Sequence, residues 1–550
     1  IAGLTTTALN NLSSTEVQSL NTAQLKGLSA AQLNGLTSAT LTALTTDQVP
    51  GLTSTQVAGL TAATLGKLGT DNLQALTSTQ VGSLTATALG GLTSDNLQAL
   101  TTTQVAGITS TQLAGLTTAA LNNLSSTEVQ SLTSTQLKGL SATQLNGLAS
   151  ATLTELTTSQ VSALTSTQVA GLTAVGLGKL GTDNLQALTS TQVGSLTATA
   201  LGGLGSDNLQ ALTTTQVAGI TSTQIAALTT AAINNLSSTE VQSLTSTQLK
   251  GLSATQLNGL GSATLTTLTT DQVAGLTSTQ VAGLSATALG NLGTANLQAL
   301  TSTQVGSLTA TALGGLTSAN LQALTTTQVA GITSTQLAGL TTTALNNLSS
   351  TEVQSLSTTQ LKGLSATQLN GLASATLNEL TTDQVSGLTS TQVAGLTAVG
   401  LGKLGTTNLQ ALTSTQVGSL TAAALSGLGS DTLQALTTTQ VAGITSTQIA
   451  ALTTAALNNL SSTEVQSLSS AQLKGLTATQ LNGLTTTTLS ELTTDQTTAL
   501  TTGQIAGLTA ATIQNFSTTD LDALTTTQVN AINATVFGKL SSATLAYLDN

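Results

Sequence analysis

Histidine, cysteine, methionine, tryptophan and arginine are absent from the 550 residues, proline and tyrosine occur once each and phenylalanine twice. Without histidine and cysteine the usual general base and the soft metal ligands are missing, which excludes catalytic triads, zinc sites and disulfide staples. Nine lysines against 20 acids, a net charge of −11, leave no basic stripe to neutralise phosphates, so nucleic acid is not an expected partner. Threonine, serine, glutamine or asparagine interrupts every apolar stretch well short of the roughly 18–20 residues that a membrane span needs, so no membrane insertion is expected. The signature of disorder is also missing, because 39% of residues are hydrophobic and the mean hydropathy is +0.28.

What is present is a register. Leucine or a close substitute stands at position 4 and at every eighth residue to Leu548, through Ile108, Phe516 and Ile532, in 68 steps without insertion or deletion. Units that must each meet a neighbour do not tolerate length changes, so the register predicts one continuous stack over residues 1–508. Residues 1–4, IAGL, read as the second half of a unit, and a processed or partial chain is expected. A typical octad is TSTQVAGL at 53–60, with apolar residues at its fifth and eighth positions. Leu4, Leu12, Leu60, Leu116, Leu228, Leu340 and Leu452 represent the expected core ladder. SSTEVQSL recurs at 13, 125, 237, 349 and 461, so 14 octads make a 112-residue super-repeat, marked by Glu16, Glu128, Glu240, Glu352 and Glu464 and by Lys26, Lys138, Lys250, Lys362 and Lys474. Tandem duplication accounts for this spacing; the alternative is that the rare charges register one molecule against another.

Apolar positions spaced alternately by five and three residues would fall on opposite faces of a strand, and on a continuous helix the stripe would drift by about 80° per octad. The chain must therefore break inside each unit. Threonine or serine at position one with glutamine or glutamate at position four, as in Thr53/Gln56 and Ser13/Glu16, is the capping-box pattern. Glycine or asparagine at position seven is expected to end the helix by entering the left-handed conformation. The predicted fold is a repeat solenoid, an all-α superhelix with one short capped helix per octad. A β-solenoid is the alternative. Similar units at 69–76 and 93–100 suggest three octads, 24 residues, per coil, although 14 is not divisible by three. Pro50, late in its unit, removes one donor from its helix.

The octads LTSTQVAG, LTTTQVAG and LSSTEVQS resemble the Leu-Thr-x-x-Gln-Val arrays of very large bacterial surface proteins described as adhesion or haem-utilisation proteins. The resemblance covers essentially the whole chain and implies an extended, exported protein, extracellular or at the cell surface. Haem is not expected, because Tyr547 is the one residue here of the types that usually ligate its iron.

No catalytic, cofactor-binding or metal-binding residue is nominated, and the chain is not expected to be an enzyme. Asp47, Asp71 and Asp95 lie 24 residues apart, a spacing that would stack them toward a calcium ion, but no Asp-Gly motif accompanies them and solvated helix-terminal acids are expected. The glycosylation sequons at Asn11, Asn123, Asn235, Asn347, Asn459, Asn515 and Asn533 follow from an octad that ends a helix with asparagine and caps the next with serine or threonine. Residues 509–550 diverge: all three aromatics, Phe516, Phe537 and Tyr547, lie there, just beyond Thr497 at an apolar position. They are expected to form a cap or a subunit contact. The expected function is the shaft of a homopolymeric fibre, with itself and other surface or matrix components as partners. The alternatives are a monomeric adhesin stalk and a threonine-rich surface that orders ice or water.

Overall fold

The computed structural model describes residues 1–549, which fall into two compact units, Ile1–Leu276 and one that begins at Thr277. Each unit is an α-solenoid. Among the described residues each octad folds into one short helix, 67 of them α-helices and one a 3-10 helix, and there is no strand. The β alternative is thereby set aside.

The cap explains why so short a segment becomes helical. In the helix Ser54–Ala58, Thr53 is extended at φ −75°, its Oγ1 accepts the Gln56 N–H at 3.2 Å, and Gln56 Oε1 accepts the Thr53 N–H at 2.8 Å. Two of the four donors left over at the helix start are thus satisfied locally. A five-residue helix is unstable alone, so the rest of its stability comes from burial against other turns. The octad of Pro50 keeps its cap, Thr45 N–H to Gln48 Oε1 at 2.8 Å, but its helical segment is the 3-10 turn Val49–Gly51.

Glutamine at position four also reaches the preceding turn. Gln216 Nε2 donates to the Leu185 and Leu188 carbonyls at 2.8 and 2.7 Å, and in the second unit Gln440 Nε2 donates to Leu409 and Leu412 at the same distances. These acceptors lie 31 and 28 residues back, at positions five and eight of the octad four units earlier. Helices three octads apart also pack, as Ser166–Ala170 does on Ser190–Ser195. One coil therefore holds between three and four octads, which corrects the 24-residue expectation.

The position-seven glycines also differ from expectation. Gly219 is right-handed at φ −79°, and its role is steric: a Cβ there would lie 2.5 Å from the Ser190 carbonyl oxygen of the neighbouring turn. Positive φ occurs at position one instead, at Gly69 (76°) and its equivalents Gly181, Gly293 and Gly405, where glycine replaces the capping threonine.

Position-five and position-eight side chains form the core of each unit. Leu60, Leu116, Leu228, Leu340 and Leu452 are buried, as are Val57, Leu113 and Val217. Two of the nominated ladder residues are not: Leu4 is 41% exposed and Leu12 is half-buried, because no earlier turn of this chain covers them.

Candidate functional site

The first and last turns show which way each core position faces. At the start, the position-five residues Leu9 and Val17 are buried while the position-eight residues Leu4, Leu12 and Leu20 are uncovered. At the end the pattern reverses: position-eight Ile532, Leu540 and Leu548 are buried, whereas position-five Val529 and Leu545 are half-buried and Phe537 is 38% exposed. Position five thus faces the following turn and position eight the preceding one. Within each unit the two sets close on one another, and the last turn presents position five with nothing upon it.

That last turn is the candidate site. Val529, Ile532, Phe537 and Leu548 line an open depression of mixed polarity together with Thr526, Asn530 and Asp549. The helix Ala534–Phe537 is held by Asn533, whose Oδ1 accepts the Thr535 N–H at 2.9 Å, and buries none of its residues. Tyr547, at position seven of the last octad, is 41% exposed. Phe516 does not belong to this surface: it occupies a position-eight slot and is buried, so its nomination as a subunit contact is withdrawn. Thr497 fills a fully buried position-five slot and satisfies its hydroxyl on the Thr493 carbonyl at 3.2 Å.

The structure separates the charges that mark the super-repeat. Lys26, Lys138, Lys250, Lys362 and Lys474 are exposed, but Glu128, Glu240, Glu352 and Glu464 are buried at position four. Those four glutamates cannot register one molecule against another. Asp47, Asp71 and Asp95 do not gather into a metal cluster, and no group of three or more acids able to hold a metal occurs among the described residues. No described helix is long and apolar enough to cross a membrane.

Sequence reasoning missed a second capping system. Octads with threonine at position four cannot close the glutamine box, and in most of them an asparagine of an earlier turn replaces it. Asn34 Oδ1 accepts the Thr61 N–H at 3.0 Å and the Thr64 hydroxyl at 2.7 Å, while its Nδ2 donates to the Gly59 carbonyl at 2.8 Å. Asn458 does the same for Thr485 and Thr488 in the second unit. The signal was present in the sequence as asparagine at position six, four octads before most such threonines, Thr432 and Thr544 being the exceptions.

The ALTTAQ repeat matches this chain at residues 17–54 and 177–214. No curated protein matches it. Among solved structures, that of APUM23-GGAAUUGACGG aligns over 84% of this chain and 92% of the other at 10% identity, with a TM-score of 0.12, too low to carry any argument. The chain is a repeat protein with an α-solenoid fold whose octads are similar, over those two stretches, to the ALTTAQ repeat.

Proposed function

We propose that this chain is a structural, non-enzymatic protein, the shaft of a homopolymeric fibre at the cell surface whose subunits join end to end. One observation carries the reading: Phe537, at the apolar fifth position of its octad, and Tyr547 are 38% and 41% exposed, although the chain holds only three aromatics. Phe537 at that position supplies a large apolar anchor, the residue type that contributes most at interface cores. A head-to-tail contact between copies that does not close on itself propagates into a filament. With only 5% of residues charged, repulsion between copies is small. The surface location rests on the resemblance of the octads to those of large surface proteins.

The test is Phe537→Asp, measured by light scattering and electron microscopy. The side chain is partly exposed, so the fold should persist while a charge enters the joint. Particles of lower mass and shorter length are expected, and assemblies of unchanged length would refute end-to-end joining. Immunogold labelling of intact cells checks the location.

A further inference from the structure

Glu128, Glu240, Glu352 and Glu464 replace the ladder glutamine once per super-repeat in the same buried slot. One carboxyl oxygen is well served: Glu128 Oε2 accepts the Ser125 N–H at 2.6 Å and its hydroxyl at 2.7 Å, and Ser461 does the same for Glu464. The other oxygen, Oε1, is buried without a partner in all four. In glutamine octads of the array that slot holds Nε2, which donates to the preceding turn, as Gln104 does to the Leu73 and Leu76 carbonyls, 31 and 28 residues back, at 2.8 and 2.7 Å. For Glu128 the corresponding carbonyls are those of Leu97 and Leu100. A carboxylate would therefore turn an acceptor toward acceptors where the fold needs a donor.

We infer that these four glutamates are proton-binding sites: the folded turn holds each as the neutral acid, whose Oε1–H donates to the preceding turn's carbonyl in place of the amide. Protonation thus locks four turns, and deprotonation loosens them. The octads three and four units away on either side hold no lysine, only exposed or half-buried acids: Asp95 and Glu155 for Glu128, Asp207 and Asp271 for Glu240, Glu379 and Asp383 for Glu352, and Asp431, Glu491 and Asp495 for Glu464. Lys138, on the octad after Glu128, points to solvent, as do its equivalents. Burial pushes the Glu128 carboxyl up against the opposing pull of the Ser125 bonds, whereas exposed Glu16, in the same octad sequence, is lowered by its bonds to Ser13.

The sign follows from linkage. A carboxyl raised on folding contributes stability that is complete below its unfolded pKa of about 4.3 and is lost as pH rises through the folded value. Within that window Glu128 changes the unfolding constant by up to about tenfold per pH unit. Glu16 acts in the opposite direction, its contribution being lost in acid.

The experiment compares the full chain with the variant E128Q/E240Q/E352Q/E464Q by urea unfolding at neutral pH and at pH about 5. A control variant, D95N/D207N/D383N/D431N, removes as much charge from exposed sites. The parent and the control should gain stability on acidification. The glutamine variant should be more stable than the parent at neutral pH, with that gain abolished, and infrared spectra of the folded parent should show a protonated-acid carbonyl band that the variant lacks. Identical pH profiles for parent and glutamine variant would overturn the inference. So would stabilisation of the parent alone by calcium at neutral pH without the acid band, which would make the slot a cation site.

Discussion

Gln216→Ala tests whether the glutamine ladder joins successive turns. The Gln216 side chain accepts the Thr213 N–H at 2.8 Å and donates to two carbonyls of the earlier turn at 2.8 and 2.7 Å, all in a buried setting. At roughly 1 kcal/mol net for each bond, truncation removes about 3 kcal/mol, and the orphaned Leu185 and Leu188 carbonyls add to the loss. Three kcal/mol corresponds to about two decades in an opening equilibrium. In a repeat array that loss is local, because each turn touches only its neighbours. Hydrogen exchange resolved by peptide is therefore the assay, since it reads opening segment by segment. Protection should fall by about two decades in peptides spanning residues 181–220 and remain unchanged far away. The control is Thr215→Ala, an exposed residue of the same octad, which should change little. Equal effects of the two changes, or a loss spread evenly over the unit, would refute the ladder.

The glycines separate steric from conformational roles. Gly219→Ala places a Cβ against the Ser190 carbonyl and should destabilise its turn by about 1–3 kcal/mol, seen as a lower urea midpoint. Gly205→Ser should do the reverse by a few tenths of a kcal/mol: nothing lies within 4 Å of its Cβ position, its φ is −65°, and the new hydroxyl caps the helix Ser206–Gln210.

The helix of each octad was legible because its cap is local. Thr53 and Gln56 are three residues apart, and the bonds between them need no knowledge of the rest of the chain. The number of octads per coil was not legible, because it is set by contacts such as Gln216 to Leu185, whose partners look like every other leucine. The same limit applied to glycine: Gly219 and Gly69 are identical letters, yet one avoids a neighbouring backbone and the other adopts positive φ. At the candidate site the aromatic clustering was visible in the sequence. What sequence could not supply was that position five faces forward, which exposes Phe537 and buries Phe516.

Asn34 provides a test of how the two capping systems substitute for one another. In the octad 61–68 a threonine, Thr64, fills the slot of the ladder glutamine, is 1% exposed, and depends on Asn34 for its acceptor. Asn34→Ala removes that acceptor, the one for the Thr61 N–H and the bond to the Gly59 carbonyl, and should cost about 1–3 kcal/mol, measured as faster exchange in peptides around residues 59–68. Thr64→Gln should then rescue the turn, because glutamine closes the box on Thr61 locally and extends Nε2 toward the carbonyls of Leu33 and Leu36, in the register that Gln56 uses on Leu25 and Leu28. With Asn34 intact, the same Thr64→Gln gains little, since the Thr61 N–H already has its acceptor. A double-mutant cycle over the two positions should therefore show coupling well above the few tenths of a kcal/mol found for independent sites. Additive effects would mean that the asparagine is a surface contact and that the threonine octads fold without it.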